Sequence, residues 1–362
     1  MSGLELGSAA ILALGASWGG VRLLIHFAPQ IGLVDRPNER SLHSRVTPRG
    51  GGIAIVGVVL AFVGAIVVWG RAGAGGFERP LEIYLATALF VALVSLWDDF
   101  KSLGAGLRFL CHGAAAAIAA WGLAGFNVVT LPGLNVVLPV WLGSVLTVVW
   151  IVGLTNVYNF MDGIDGIAGV QGVVAGLAWA VAGAWAGSHV ITSFGIVLAG
   201  GCAGFLVHNW SPAKIFMGDV GSAFLGFTFA VLPLLLLCEL PRLGNVVQPG
   251  VIPGFAVLVV WPFVGDGSLT CLRRALRGER VWEAHRSHLY QRLVQTGWSH
   301  ARVSLLYGGW CVVCGVAALW WLRQAPGAAF VASATPMLTL AGMFVFVSRR
   351  ERAKEKAETL KS

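Results

Sequence analysis

Charge is what this sequence has least of. Asp, Glu, Lys and Arg make up 12% of its 362 residues, about half the share of an ordinary soluble domain. No long hydrophilic stretch is present, which excludes tandem soluble domains. The order G-x-x-x-x-G-K-[ST] is missing, so a P-loop is excluded. The six cysteines (Cys111, Cys202, Cys238, Cys271, Cys311 and Cys314) fall in or beside apolar runs. Cys311 and Cys314 form a C-x-x-C pair with no second pair and no histidine beside it. Packing between helices is the expected role, not redox or metal chemistry. No internal repeat pairs the two halves of the chain, which weakens a transporter reading. The first apolar run is preceded by Glu5 and no Lys or Arg, and it lacks a small-residue cleavage site with a basic n-region, so it is expected to be a retained helix.

What is abundant is apolar. Hydrophobic residues reach 57% with 49 glycines, and mean hydropathy is +0.78. About eleven apolar spans are expected, at 5–28, 50–69, 81–97, 109–124, 137–155, 170–187, 190–207, 220–238, 251–268, 303–322 and 330–348. Each approaches the ~20 residues that cross a bilayer. The expected fold class is an all-α integral membrane protein, a polytopic bundle of about eleven transmembrane helices. Residues 1–348 form one catalytic domain in this reading, and 349–362 a charged tail without assigned chemistry. Gly/Pro-rich connections at 70–80, 125–139 and 241–253 are expected to be ordinary turns.

The net charge of +8 is a topology signal. Segments 29–49, 98–108, 208–219, 269–302 and 349–362 hold 20 of the 25 Lys and Arg residues; the opposite connections hold only Arg71, Arg79, Arg242 and Arg323. The positive-inside rule then puts the first set in the cytoplasm, with a periplasmic N-terminus and a cytoplasmic C-terminus. A nucleic-acid partner is not expected, because the basic residues follow the membrane ends.

The same side collects the polar clusters, and ionisable groups at a membrane mark a functional site. Asp98–Asp99 closes the third span. Adjacent carboxylates repel, so a shifted proton affinity or a shared cation is expected over a simple solvated cap; Lys101 and Arg108 supply nearby positive charge. The densest signal runs from Asn156 to Gly166. Asn159 and Asp162 share a helix face, and Gly163 and Gly166 allow a turn and a close ligand. Amides and carboxylates here suit Mg²⁺ or sugar hydroxyls; a surface turn or calcium loop is the alternative. Asp219, in Phe216–Met217–Gly218–Asp219, sits between glycines at a helix start, where it can hold metal and phosphate, cap the helix, or do both. His285, Arg286 and His288 form a compact cationic cluster suited to phosphate; a zinc site would need more ligands than Glu283 adds. A basic Gly-rich loop at 36–52 includes His43.

Taken in order, these segments resemble the polyprenyl-phosphate N-acetylhexosamine-1-phosphate transferases, the WecA/MraY/TagO family. The resemblance spans about 31–293 and rests on Asp35-Arg-Pro-Asn-x-Arg40 with His43, Pro48 with Gly51–Gly52, Asp98–Asp99, Asn156–Gly166, Phe216-Met-Gly-Asp219 with Gly221–Ser222, and the His loop. The stretch from Ala284 to Leu293 is most similar to WbpL-like members that start O-antigen or related lipopolysaccharide chains. Two positions depart from the pattern: Ser102 stands where a third charged residue is common, and Ser287 precedes His288 where paired histidines are common.

The resemblance implies transfer of a sugar-1-phosphate from a UDP-N-acetylhexosamine to undecaprenyl phosphate at the cytoplasmic face of the bacterial inner membrane, with release of UMP. It implies Mg²⁺, with Mn²⁺ as a substitute, held by Asp219 with Asp98 or Asp99. Asp98, Asp99, Asp162 and Asp165 are the candidate catalytic residues, Asp98 deprotonating the lipid phosphate. A covalent aspartyl intermediate is the older alternative. Asn159, Asp162 and Asp165 are expected to position metal, uridine or sugar. His285, Arg286 and His288 are expected to hold the diphosphate, and His43, Asn156 and Lys101 complete the substrate-binding set. Membrane lipid is an expected partner, and a homodimer is compatible with this reading. The rivals are a MraY-like transferase for the muramoyl-pentapeptide nucleotide and an ion-coupled transporter, which would carry its ionisable residues near midplane.

Overall fold

The computed structural model describes residues 3–35, 46–72, 77–244, 246–280 and 286–360. The described chain begins with α1 (Gly3–Phe27) and continues through β1 (Val34–Asp35) and β2 (Thr47–Pro48) to α2 (Gly52–Ala72), α3 (Glu78–Lys101) and α4 (Ala105–Gly122). The hairpin β3 (Val128–Leu131) and β4 (Leu134–Val137) precedes α5 (Val140–Met161), α6 (Ile167–Ala186), α7 (His189–Asn209) and α8 (Asp219–Glu239). After α9 (Ile252–Val259) come α10 (Trp261–Leu276), the short α11 (Leu289–Gln295), α12 (His300–Leu322) and α13 (Ala328–Thr359).

Among the described residues, nine helices are long and apolar enough to cross a membrane, or ten if the bent α9–α10 pair forms one span. All eleven expected spans therefore have helical counterparts, with two qualifications. The counterpart of 109–124 is α4, an 18-residue helix that carries Arg108 and His112 and is not one of the nine. The span expected at 251–268 is broken by a 72° bend between α9 and α10. Pro262 at the start of α10 has no N–H for the preceding turn, so α9 stops and a new axis begins. The connection at 125–139 is not a plain turn: β3 and β4 pair antiparallel from Val128↔Val137 to Leu131↔Leu134.

Helix α8 is the central post. It is apolar on every side, and 94% of its most apolar window is buried, against 17% for α1 and 11% for α13 at the periphery. It packs against α2, α3 and α5. The closest approach is at the start of α2, where a Cβ on Gly52 would stand 2.2 Å from the Gly221 Cα. Only paired glycines let these backbones meet. Large side chains such as Ile11, Trp121, Val140 and Phe330 face outward, as lipid contact requires and water would penalise. The chain is an all-α, multi-pass membrane protein.

Candidate active site

The site gathers at one end of the bundle, where α3 and α5 finish and α4 and α8 begin. Backbone bonds bring the Gly-rich segment after β2 to the start of α8. Gly51 and Gly52 donate to the carbonyls of Phe216 and Met217, both at 2.9 Å, and Phe216 donates to the Pro48 carbonyl at 2.9 Å. Two motifs 165 to 168 positions apart thus become one surface.

Asp99 joins α3 to α8. Its Oδ1 and Oδ2 accept the backbone N–H groups of Asp219 and Val220, each at 3.0 Å. The carboxylate is therefore a helix N-cap supplied by another helix, placed where unpaired N–H groups and the helix dipole favour negative charge. Gly218 makes this approach possible: its φ is +78°, and a Cβ there would lie 2.8 Å from Asp99 Oδ2. Arg49 Nε stands 3.6 Å from Asp99 Oδ1.

Asp98 faces the other way. Its Oδ1 accepts Leu103 N–H at 2.6 Å, and its Oδ2 accepts Arg108 Nη1 at 2.8 Å. The same Arg108 Nη1 lies 3.7 Å from Asp219 Oδ2. Asp219 Oδ1 accepts Asn159 Nδ2 at 2.7 Å, and that amide also donates to Ser222 Oγ at 2.9 Å. Asp98, Asp99 and Asp219 are thus one constellation: Arg108 bridges Asp98 and Asp219, Asp99 holds the Asp219 backbone N–H, and Asn159 ties Asp219 to Ser222. Asp98 and Asp99 are buried, whereas the Asp219 side chain keeps 34% exposure and is the carboxylate open to a ligand.

Asp162, in the turn after α5, shares this field. Burial holds its carboxyl well above the usual carboxylate range, and the charges of Asp219, Asp99 and Asp165 push the same way. Asp165 is set apart. Its Oδ2 accepts Ala213 N–H at 3.2 Å, and its Oδ1 lies 3.3 Å from His300 Nδ1. Burial alone would raise its carboxyl, but the hydrogen bond and charge of His300, with the Ala213 bond, outweigh it and hold the group below the usual range. Asn209 stitches this segment in place, accepting from Gly166 N–H at 2.8 Å and donating to the Ile215 carbonyl at 2.9 Å.

The remaining candidates are more dispersed. Asn156 donates to the Val152 carbonyl at 2.8 Å within α5. Lys101 is exposed at the end of α3. His43 and His285 lie outside the described residues. Arg286 is half-buried, and its carbonyl accepts Gln295 Nε2 at 2.9 Å. His288 is buried, with Nδ1 3.6 Å from Asp266 Oδ1. The loop reaches the carboxylate end through Tyr290, whose hydroxyl donates to the Phe160 carbonyl at 3.1 Å.

Residues 81–237, from α3 to α8, match the family described as Glycosyl transferase family 4. They carry Asp98, Asp99, Asp162, Asp165 and Asp219. A probable undecaprenyl-phosphate N-acetylglucosaminyl 1-phosphate transferase of Bacillus subtilis is 35% identical over 282 residues, 77% of this chain and 74% of that protein. The chain belongs to the polyprenyl-phosphate sugar-1-phosphate transferases. A decaprenyl-phosphate N-acetylglucosaminephosphotransferase of Mycobacterium tuberculosis is 30% identical over 322 residues, covering 84% of this chain and 78% of the relative. A phospho-N-acetylmuramoyl-pentapeptide-transferase of Staphylococcus aureus is 28% identical over 290 residues, covering 76% and 84%.

In this sugar-1-phosphate transferase, carboxylate and amide oxygens are the donors a hard divalent cation prefers. Among the described residues, no three His, Cys, Asp or Glu side chains are arranged as a ready metal group. Asp98 and Asp99 are committed to Arg108 and to backbone N–H groups, so Asp219, whose side chain is the most exposed of the three, is the donor that fits best. Three residues escaped the sequence reading. Asp266 lies inside the apolar run 251–268, where an ionisable residue is itself a signal. His112 on α4 lies near Arg108, Asp98 and Asn156, with both ring nitrogens buried. His300, the partner of Asp165, has no local pattern to reveal it.

Proposed function

We propose that this transferase moves an N-acetylhexosamine-1-phosphate from its UDP-sugar to undecaprenyl phosphate, giving the lipid-linked diphosphate sugar and UMP. The reading places it in the bacterial inner membrane, at the first membrane step of O-antigen, lipopolysaccharide or related envelope-glycan synthesis. The observation that carries it is the Asp98–Asp99–Asp219 constellation, in which Arg108 bridges Asp98 and Asp219, at the end of the bundle where α3 and α5 finish. A lipid phosphate arrives there laterally between helices, and a soluble nucleotide from the cytoplasm.

A lipid-phosphate oxygen attacks the phosphorus that bears the sugar, and the bond to UMP breaks in line. Mg²⁺, or Mn²⁺ in its place, held by Asp219, would offset the repulsion between the two phosphates. Asp99 fixes Asp219 by gripping its backbone, and Asn159 orients Asp219 Oδ1. Arg108 shifts from Asp98 to the incoming phosphate, which frees Asp98 Oδ2 to take the proton of a monoanionic lipid phosphate. Asp162 borders the metal and sugar region, and Asp165 holds the turn that places it. Arg286 and His288, with His285, meet the diphosphate; Asn156, Lys101 and His43 complete the substrate set.

The test is a donor panel with purified enzyme in detergent and radiolabelled undecaprenyl phosphate. UDP-N-acetylhexosamines should yield UMP and a labelled lipid diphosphate sugar. Turnover with the UDP-muramoyl-pentapeptide alone would favour the muramoyl-type relatives, and no turnover with any donor would remove the reading.

A further inference from the structure

Asp266 is 0% exposed in the middle of α10, and a carboxylate there is expensive unless fully paired. It is over-provided with partners for a simple cap. Oδ1 accepts Leu289 N–H at 2.9 Å and Thr270 Oγ1 at 3.1 Å; Oδ2 accepts the Tyr307 hydroxyl at 2.6 Å and Tyr290 N–H at 3.4 Å. These donors come from α10, α11 and α12, so one carboxylate ties the half-helix after the bend to the segment that follows the His loop.

His288 stands at the junction. Its Nδ1 lies 3.6 Å from Asp266 Oδ1, an ion-pair distance, and its ring stacks on Tyr290 at 5.7 Å between centroids and 17° between planes. Its backbone N–H donates to Gln291 Oε1 at 3.2 Å. Tyr290 then reaches the Phe160 carbonyl, two residues before Asp162. A Cβ on Gly163 would fall 2.2 Å from the Tyr290 hydroxyl, so the two segments touch. The ring is oriented on one edge by a carboxylate and on one face by an aromatic ring.

We propose that Asp266 is a positioning residue: it holds His288 with Nδ1 turned inward, so that Nε2 is the nitrogen that meets the nucleotide diphosphate. The inference rests on the reading of His288 as a diphosphate contact. A carboxylate behind a histidine fixes which ring nitrogen faces outward, and it offsets the positive charge the ring carries when it meets phosphate. The bend at Pro262 gives the geometry its purpose, since it swings α10 so that Asp266 faces the His loop.

The experiment is a double-mutant cycle in detergent with a UDP-N-acetylhexosamine that the wild-type enzyme turns over, reading KM for donor and for undecaprenyl phosphate separately. His288→Ala should raise the donor KM about tenfold or more, and Asp266→Asn should raise it in the same direction. The acceptor KM should stay within about twofold. The double variant should be no worse than His288→Ala within about twofold, because residues acting through one another are not additive. Tyr307→Phe, which removes a bond to the same carboxylate without touching His288, should lower the melting temperature and leave the donor KM in place. If Asp266→Asn does not fold, Asp266→Glu carries the test, with a smaller rise that vanishes in the His288→Ala background. Additive effects, or a normal donor KM in the folded Asp266 variant while His288→Ala is impaired, would overturn the proposal and leave Asp266 a structural clamp. A normal donor KM in His288→Ala would instead remove His288 from the diphosphate site; the inference falls with it, while turnover by the wild type still supports the transferase.

Discussion

At the residue scale, Asp219 is where the account is most exposed. Its Oδ1 is oriented by Asn159 and its backbone is gripped by Asp99, so substitution changes charge without dismantling the helix start. Asp219→Asn is expected to lower turnover by about 100-fold or more, the scale of a lost electrostatic contact at a reacting phosphate. Steady-state UMP release by a variant with wild-type thermal stability checks this. Asp165 gives a different signature. Its folded value is depressed, so its contribution to stability is present above the unfolded value of about 3.9 and is lost as pH falls through the lower folded value. Melting curves of Asp165→Asn in detergent should lack that part of the acid-side decline; an unchanged pH profile would show that His300 does not stabilise the carboxylate. The polar residues at helix ends were legible because apolar runs frame them. Asp266 was not, because a single carboxylate within an apolar run shows only that it needs partners, and all those named but Thr270 lie 22 to 41 positions away.

Elements were legible from hydropathy where a helix is straight and long, and less so where tertiary contacts decide. The Pro262 bend is local but invisible to hydropathy, which reads 251–268 as one span, whereas the extent of α13 depends on packing that no window of sequence contains. The charged tail shows no chemistry in its sequence, yet α13 runs unbroken to Thr359. Glu351 makes paired bonds to Arg292, Nε at 2.7 Å and Nη2 at 2.5 Å, and Lys354 donates to the Gln295 carbonyl at 2.9 Å. Arg292 is 9% exposed. Glu351→Ala would leave that guanidinium poorly paired at a cost of about 1–3 kcal/mol, read as a lower melting temperature, because α11 loses its brace. At the other contact, Gly52→Ala drives a methyl into the Gly221 backbone. It is expected to push α2 from α8 and to reduce both stability and turnover; a fully active, equally stable variant would contradict this packing.

For the whole molecule, the arrangement is a bundle around α8 with Asp98, Asp99, Asp162 and Asp219 gathered at one end. We propose that this end faces the cytoplasm, because the sequence carries 20 of its 25 basic residues in segments 29–49, 98–108, 208–219, 269–302 and 349–362. Reporter fusions at Gly133, in the β3–β4 turn, and at Gly278, after α10, are expected to lie on opposite sides, the first outside. Matching sides would separate the constellation from the compartment that holds nucleotide sugars. The central claim is that this end of the bundle joins a sugar-1-phosphate to a lipid phosphate with the help of a cation. Purified enzyme given a UDP-N-acetylhexosamine and radiolabelled undecaprenyl phosphate tests it most directly, with UMP and lipid product counted before and after chelation. The account predicts one UMP for each labelled lipid diphosphate sugar, turnover abolished by chelation and restored by Mg²⁺ or Mn²⁺. Full turnover after exhaustive chelation, or UMP release without a lipid product, would contradict it.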